Sequence, residues 1–179
     1  MCRDVVREQI LVPTIRHADS GRYQDVAGIT QIYNDAVLHT TAIWNDTVVD
    51  ENNRRAWIEE RNAQGFPILI AVEGDDVLGY ATFGPFRPHD GYRHTVENSI
   101  YVRSDQRRCG IAAALMSPLV ATATKLGIHA MIAGIEAENM ASIRLHKNFG
   151  FRKVGLLPEV GRKFDRWLDL VLMQKTLDQ

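Results

Sequence analysis

The stretch Gln106-Arg107-Arg108-Cys109-Gly110-Ile111-Ala112 most narrows what this chain can become. It follows a strand-like run, residues 99–103, and opens an apolar segment of helical spacing, residues 111–126. A strand that feeds a small-residue turn at a helix start aims several backbone N–H groups and the positive end of a helix dipole at one point. Such a point is built for an anion, and Arg107 and Arg108 add mobile charge beside it. A ligand carrying a pyrophosphate is the natural reading, with Arg107, Arg108, Cys109, Gly110, Ile111, Ala112 and Ala113 as its cradle. The turn is neither a Walker loop, which needs G-x-x-x-x-G-K-[ST], nor the three-glycine dinucleotide fingerprint.

Organisation around that turn follows from periodicity and breakers. Residues 14–16 form a short candidate strand. Residues 24–38 carry Val26, Ile29, Tyr33, Ala36 and Val37 at amphipathic helical spacing. A second helix spans residues 51–63, with Ala56, Trp57 and Ile58 facing the core and Gly65 as its stop. Between them, residues 40–50 form a polar loop holding Trp44, of the kind that meets substrates when a rigid scaffold pins it. Residues 66–73 and 77–83 read as a hairpin turning at Gly74-Asp75-Asp76, and residues 84–93 as a Pro- and Gly-bearing loop. Strand 95–103 leads into the anion turn. After helix 111–126 come a strand at 128–136, a helix at 139–148 closed by Gly150, and strands at 151–157 and 167–174. Pro118 falls inside the third helix, where a kink is expected.

At 179 residues the chain fits one domain, able to bury roughly 70% of its unfolded surface. A net charge of −1 gives no electrostatic basis for holding nucleic acid or an anionic membrane. Two cysteines, Cys2 and Cys109, imply no disulfide framework and point to a reducing cytoplasm. Arg3, Asp4, Arg7 and Glu8 interrupt the apolar residues near the start before a signal-peptide core forms. No run approaches the ~20 apolar residues of a membrane span. Residues 1–13 form an N-terminal extension whose role stays open among an extra strand, a dimer contact and a disordered lead. The six histidines show neither H-E-x-x-H nor a Cys/His ligand spacing, so no metal is expected.

Turn, helix, strand, Asn139, helix and Gly150-Phe151 in this order resemble the GNAT N-acetyltransferases. Residues 32–37, 40–44, 95–99 and 161–169 are similar to the branch that acetylates phosphinothricin, methionine sulfone and methionine sulfoximine. The resemblance covers residues 14–179. It implies an α/β fold in a single domain, a mixed central β-sheet flanked by about four helices, and acetyl-CoA as cosubstrate with its pyrophosphate on the turn at 107–113.

Acetyl transfer from a thioester to an amine needs a held thioester, a neutral amine, a donor for the carbonyl oxygen and a proton for the leaving thiolate. Free backbone groups of Ile100, Tyr101 and Val102 suit the amide-bearing pantetheine arm, as an added strand would, and an N–H near Tyr101 or Val102 suits the carbonyl oxygen. The resemblance puts the general base at Glu97. It puts His146 where many relatives carry a tyrosine, so His146 either donates the proton, hydrogen-bonds the cofactor or is a structural helix histidine. Asn139 caps its helix and meets the pantetheine arm, and Asn148 approaches the cofactor by family position. Arg87, followed by Pro88 and His89, can clamp a substrate carboxylate bidentately. Tyr33 and Trp44 can wall a side-chain pocket, and Asn98 and Ser99 fall in the substrate segment beside Glu97. The sequence departs from the branch at His89 and Asn98, where relatives favour an aromatic and a histidine. It departs again at Arg108, Cys109 and Ala112, where they favour glycine, lysine and glycine.

The expected activity is N-acetylation of a small amino acid or analogue by direct attack in a ternary complex. A protein or peptide acceptor and a non-catalytic acyl-CoA module are the alternatives. The apolar segment at 167–173 is expected to support a homodimer.

Overall fold

The structure, a computed structural model, describes residues 13–177. Its elements in chain order are β1 (Thr14–His17), α1 (Tyr23–His39), α2 (Glu51–Ala63), β2 (Ile68–Glu73), β3 (Asp76–Pro85), β4 (Thr95–Val102), α3 (Ile111–Lys125), β5 (Ala130–Glu136), α4 (Met140–Asn148), β6 (Arg152–Lys163) and β7 (Arg166–Thr176). Short 3-10 turns occupy Asp90–Tyr92 and Ser104–Gln106. The strands make one mixed seven-stranded sheet in the order β1-β2-β3-β4-β5-β7-β6, antiparallel except where β4 runs parallel to β5.

Alternation along the strands feeds two apolar layers. Ile68, Ile70 and Val72 of β2 pack with Val26, Ile29 and Ile32 of α1 and Ile58 of α2. Leu69 and Ala71, pointing the other way, join Ile111, Leu115, Met116 and Leu119 of α3 and the strands β5 and β7. The helix ends are set chemically. The Asp50 carboxylate accepts from the Asn53 N–H and caps α2, while Asn139 accepts from the Ser142 N–H and caps α4. The expected mixed sheet with four α-helices is what forms.

Several details differ from the sequence reading. Ala56 is exposed, and Trp57 and Ile58 alone of that trio turn inward, because α2 presents only a narrow stripe to the sheet. β3 runs on through Gly84, which is buried, to Pro85, so the loop begins two residues later than expected. α3 continues through Pro118 to Lys125 as one helix. Residues 158–163, unassigned in the sequence, extend β6 into a long hairpin with β7. Pro158 is tolerated there because β6 is an edge strand and the register shifts between Leu157 and Gly161. The extension at 1–13 lies outside the described residues apart from Pro13.

Candidate active site

The sheet comes apart at its centre. β4 pairs with β5 only through Thr95↔Ala130, Val96↔Met131 and Glu97↔Ile132, yet it stays in register with β3 out to Gly79↔Val102. From Asn98 onward the outer edge of β4 therefore has no strand partner. A cleft of about 870 Å³ opens beside it, lined by Ile100, Tyr101, Val102, Arg107, Arg108, Gly110, Ile111, Ala112, Ala113 and Asn139 among others.

The anion turn stands at one end of this cleft. Gly110, at the N-cap of α3, holds φ 80° and offers no side-chain cap, and Arg108 holds φ 67° two residues before it. The N–H groups of Ile111, Ala112 and Ala113 are left uncapped at the helix mouth, where negative charge is favoured. Arg107 reaches back to Asp35 of α1 at 3.7 Å, a half-exposed pair of little energetic weight.

Glu97, on the last rung that β4 and β5 share, lines neither this cleft nor the smaller recess near it. The residue is exposed, but its carboxylate folds over Gly134 of β5, where a Cβ would stand 2.9 Å from Oε1. Partial loss of water raises the Glu97 carboxyl above its ordinary value. A hydrogen bond from the Gly134 N–H and the positive charge of Arg87 pull it partway back. Beside Gly134 a recess of about 60 Å³ branches from the cleft, lined by Asn98, Ser99, Ile100, Tyr101, Gly134, Glu136, Asn139, Ser142 and His146 among others. His146 is 3% exposed; its Nδ1 lies 2.8 Å from the Ser142 carbonyl and its Nε2 3.1 Å from Asn98 Oδ1. Burial lowers its pKa, opposed by the Ser142 carbonyl. Burial also pushes the Tyr101 hydroxyl up to about 12, so it remains protonated at neutral pH.

Residues 19–172 match the family model for the acetyltransferase (GNAT) domain. The chain belongs to the GNAT acetyltransferase family. It is 51% identical over 166 residues, 93% of its length and 95% of the relative's, to the L-methionine sulfoximine/L-methionine sulfone acetyltransferase of Salmonella typhimurium. It is 35% identical to the phosphinothricin N-acetyltransferase of Alcaligenes faecalis, covering 88% of this chain and 80% of that one. Among solved structures, it superposes with a TM-score of 0.90 on yncA from Salmonella typhimurium with its cofactor acetyl-CoA, at 50% identity over 94% of this chain and 96% of that one. The ribosomal-protein-alanine N-acetyltransferase from Brucella melitensis superposes at 0.88 with 51% identity, covering 92% and 99%.

This GNAT enzyme is therefore an N-acetyltransferase that uses acetyl-CoA as cosubstrate, and its own features fit that molecule. An uncapped trio of N–H groups flanked by two arginines suits a pyrophosphate. An unpaired strand edge suits an arm bearing amides, and the cleft joins the two. Among the described residues no helix is long and apolar enough to cross a membrane, and no cluster of His, Cys, Asp and Glu could hold a metal ion.

Not every residue singled out in the sequence reaches the cleft or the recess. Cys109 turns its exposed thiol toward the Arg107 carbonyl at 3.6 Å, and Asn148 is exposed at the far end of α4. Arg87, Pro88 and His89 are exposed on the loop after β3, with the Arg87 guanidinium 5.1 Å from the centre of the Phe86 ring. Tyr33 accepts from Asn45 Nδ2 at 2.8 Å beneath the Arg54 guanidinium. Trp44 donates Nε1–H to the Thr41 carbonyl and packs on Gly161, where any Cβ would collide with its ring.

Among the cleft-lining residues that the sequence did not single out, such as Thr41, Ser142 and Phe164, Glu136 is the buried carboxylate. Glu136, 6% exposed at the end of β5, lines both the cleft and the recess. It accepts from the Thr41 hydroxyl at 3.0 Å and the Glu138 N–H at 2.9 Å, tying the 40–50 loop to the sheet. The buried Lys163 ammonium donates to the Ile43 carbonyl and holds the same loop from β6. A glutamate three residues before a helix-capping Asn139 was the available signal.

Proposed function

We propose that the enzyme acetylates the α-amino group of a small free amino acid or analogue, of the methionine sulfone, methionine sulfoximine or phosphinothricin type, by direct attack with both substrates bound. The observation that carries this reading is the parting of β4 from β5 immediately after Glu97, which leaves the β4 edge at Ile100, Tyr101 and Val102 open along a cleft that ends on the turn at 107–113. Similarity to the Salmonella enzyme over nearly the whole chain supports the choice of amine.

Acetyl-CoA supplies the activated acyl carbon. The N–H groups of Ile111, Ala112 and Ala113, with Arg107 and Arg108, hold its pyrophosphate, while the main chain of Ile100, Tyr101 and Val102 pairs with its arm. An N–H at Tyr101 or Val102 donates to the carbonyl oxygen. Glu97 takes the proton of the incoming amine, directly or through one water. A carboxyl raised by partial burial suits an α-amino group that titrates near pH ~8. Arg87 clamps the substrate carboxylate in a fork of two hydrogen bonds, with Pro88 and His89 shaping its loop. Tyr33 and Trp44 wall the side-chain side, and Ser99 lies next along the face that carries Glu97.

The edge strand β6 and its hairpin expose Val154, Leu156, Leu157, Val160, Phe164 and Trp167. We assign this apolar row to a second copy of the chain; a monomer mass by light scattering at micromolar concentration would end that assignment. The exposed free thiol of Cys109 suits a reducing cytoplasm.

A second reading, acetylation of a protein N-terminus, is favoured by the likeness to the Brucella enzyme. Thiol release from acetyl-CoA, measured across methionine sulfone, methionine sulfoximine, phosphinothricin, other amino acids and short peptides, separates the two. Turnover with the free amino acids is expected, and turnover with peptides alone overturns the proposal.

A further inference from the structure

His146 is a natural suspect for the proton donor to the leaving thiolate, and its surroundings argue otherwise. The Ser142 carbonyl can only accept, so the ring nitrogen 2.8 Å from it, Nδ1, carries a proton. Burial disfavours a second proton on the ring, which leaves Nε2 bare. Asn98 Oδ1 stands 3.1 Å from Nε2, and Asn98 Nδ2 is the one buried side-chain polar atom among the described residues without a partner. With the amide in that sense, two lone pairs face each other while two N–H bonds go unmet. Turning the amide half a revolution about its terminal bond removes the clash and meets one of the two N–H bonds, because Nδ2 then donates to Nε2, and the atom left without a partner becomes the carbonyl oxygen.

The place of this contact gives it meaning. Asn98 is the first residue of β4 without a rung to β5, and His146 lies on α4, the helix that follows β5. Where the ladder ends, a side-chain hydrogen bond takes over. The His146 ring also stands edge-on to Phe151 at 5.0 Å, which fixes its plane. Glu136 and Tyr101 are the other ionisable side chains lining the recess, and neither is a hydrogen-bond partner of the imidazole.

We propose that His146 acts as a neutral hydrogen-bond acceptor that ties the Asn98 amide across the apex of the split and so positions Glu97, and that it does not deliver the proton to the departing thiol. His146 is then a positioning residue. The inference rests on the acetyltransferase reading for its purpose, while the protonation state itself can be read on the ligand-free enzyme.

The first experiment is nitrogen NMR of the His146 imidazole in the unliganded protein across about pH 5 to 8. A protonated Nδ1 and a bare Nε2 throughout the upper part of that range are expected. A proton on Nε2 at neutral pH overturns the proposal, whatever the amine substrate proves to be. Asn98→Asp serves as the control for the contact, since a carboxylate there should draw a proton onto Nε2 and shift both ring resonances; unshifted resonances would show that the two side chains do not touch. The second experiment is His146→Gln, whose side-chain oxygen can accept from Asn98 but cannot transfer a proton. Turnover within about tenfold of the parent, with an unchanged pH profile and unchanged coenzyme A affinity by calorimetry, is expected. A drop on the order of 10²–10⁴-fold, the range that general acid catalysis supplies, with the basic limb of the profile removed, overturns it.

Discussion

The two halves of the sheet solve the same problem differently. β1 to β4 form one antiparallel ribbon, and β5, β7 and β6 form another, with β5 pairing β7 from Ala130↔Thr176 to Glu136↔Leu170. Within each half strand pairs with strand along most of its length, broken by register shifts at Ala71/Val72, Lys153/Gly155 and Leu157/Gly161. Between the halves Thr95, Val96 and Glu97 of β4 keep rungs, the His94 carbonyl just before them accepts from the His129 and Ala130 N–H groups, and beyond Glu97 the junction relies on side chains: His146 to Asn98, Glu136 to Thr41, and the Glu97 carboxylate over Gly134. Unpaired backbone groups are costly unless water or a ligand meets them. A sheet that parts at its middle thus keeps a strand-shaped site open, and side-chain ties hold the gap at one width.

The sharpest test of this contrast is at the last shared rung. Glu97→Gln should lower kcat/KM by a factor on the order of 10²–10⁴ while leaving coenzyme A affinity unchanged by calorimetry. An equal loss of cofactor affinity would mean that the residue supports the sheet and not the chemistry. The pH dependence adds a sign. Because the folded protein raises this carboxyl, kcat/KM in the parent should fall as pH drops through a value above the ordinary ~4.3 of glutamate. Arg87 pulls the other way, so Arg87→Gln should move that limb to higher pH.

The C-terminal half yields the next largest effect. Gly161→Ala forces a methyl into the Trp44 ring, and overpacking of this kind costs about 1–3 kcal/mol. Tm should fall by roughly 2–4 °C for each kcal/mol in a chain this long. KM for the amine should rise more than KM for acetyl-CoA, because the 40–50 loop moves and the anion turn does not. In the N-terminal half, Gly110→Ala places a side chain at φ 80° and should cost about 1–2 kcal/mol. Here the asymmetry should reverse, with coenzyme A binding weakened and the amine KM little changed. If both glycine variants raised the same constant, the two halves would not divide the work as described. The smallest effect belongs to Thr41→Val, which removes one hydrogen bond to Glu136 and should cost about 0.5–1.5 kcal/mol in urea unfolding.

The glycine turn before α3 was legible because its signals are local. Gly110, the arginines and the apolar run after them occupy adjacent positions, so a strand, a turn and a helix mouth can be read without knowing the rest of the chain. The hairpin at Gly74 and the caps at Asn139 and Gly150 were legible for the same reason. Residues 158–163 were not, since Pro158 and Gly161 read as breakers unless the strand is known to lie at an edge. Glu97 was singled out by resemblance alone. Nothing in its own neighbourhood distinguishes it from a surface glutamate on a strand.

Spacing along the chain determined the run of strands and helices, the helix boundaries to within a residue or two, and the glycine turn at the mouth of α3, because each depends on neighbours a few positions apart, while the class of fold followed from the family resemblance. The parting of β4 from β5, the meeting of Asn98 with a histidine 48 residues away and the burial of Glu136 under Thr41 were decided only by folding. They depend on which backbone groups find partners in three dimensions, and no local pattern records that.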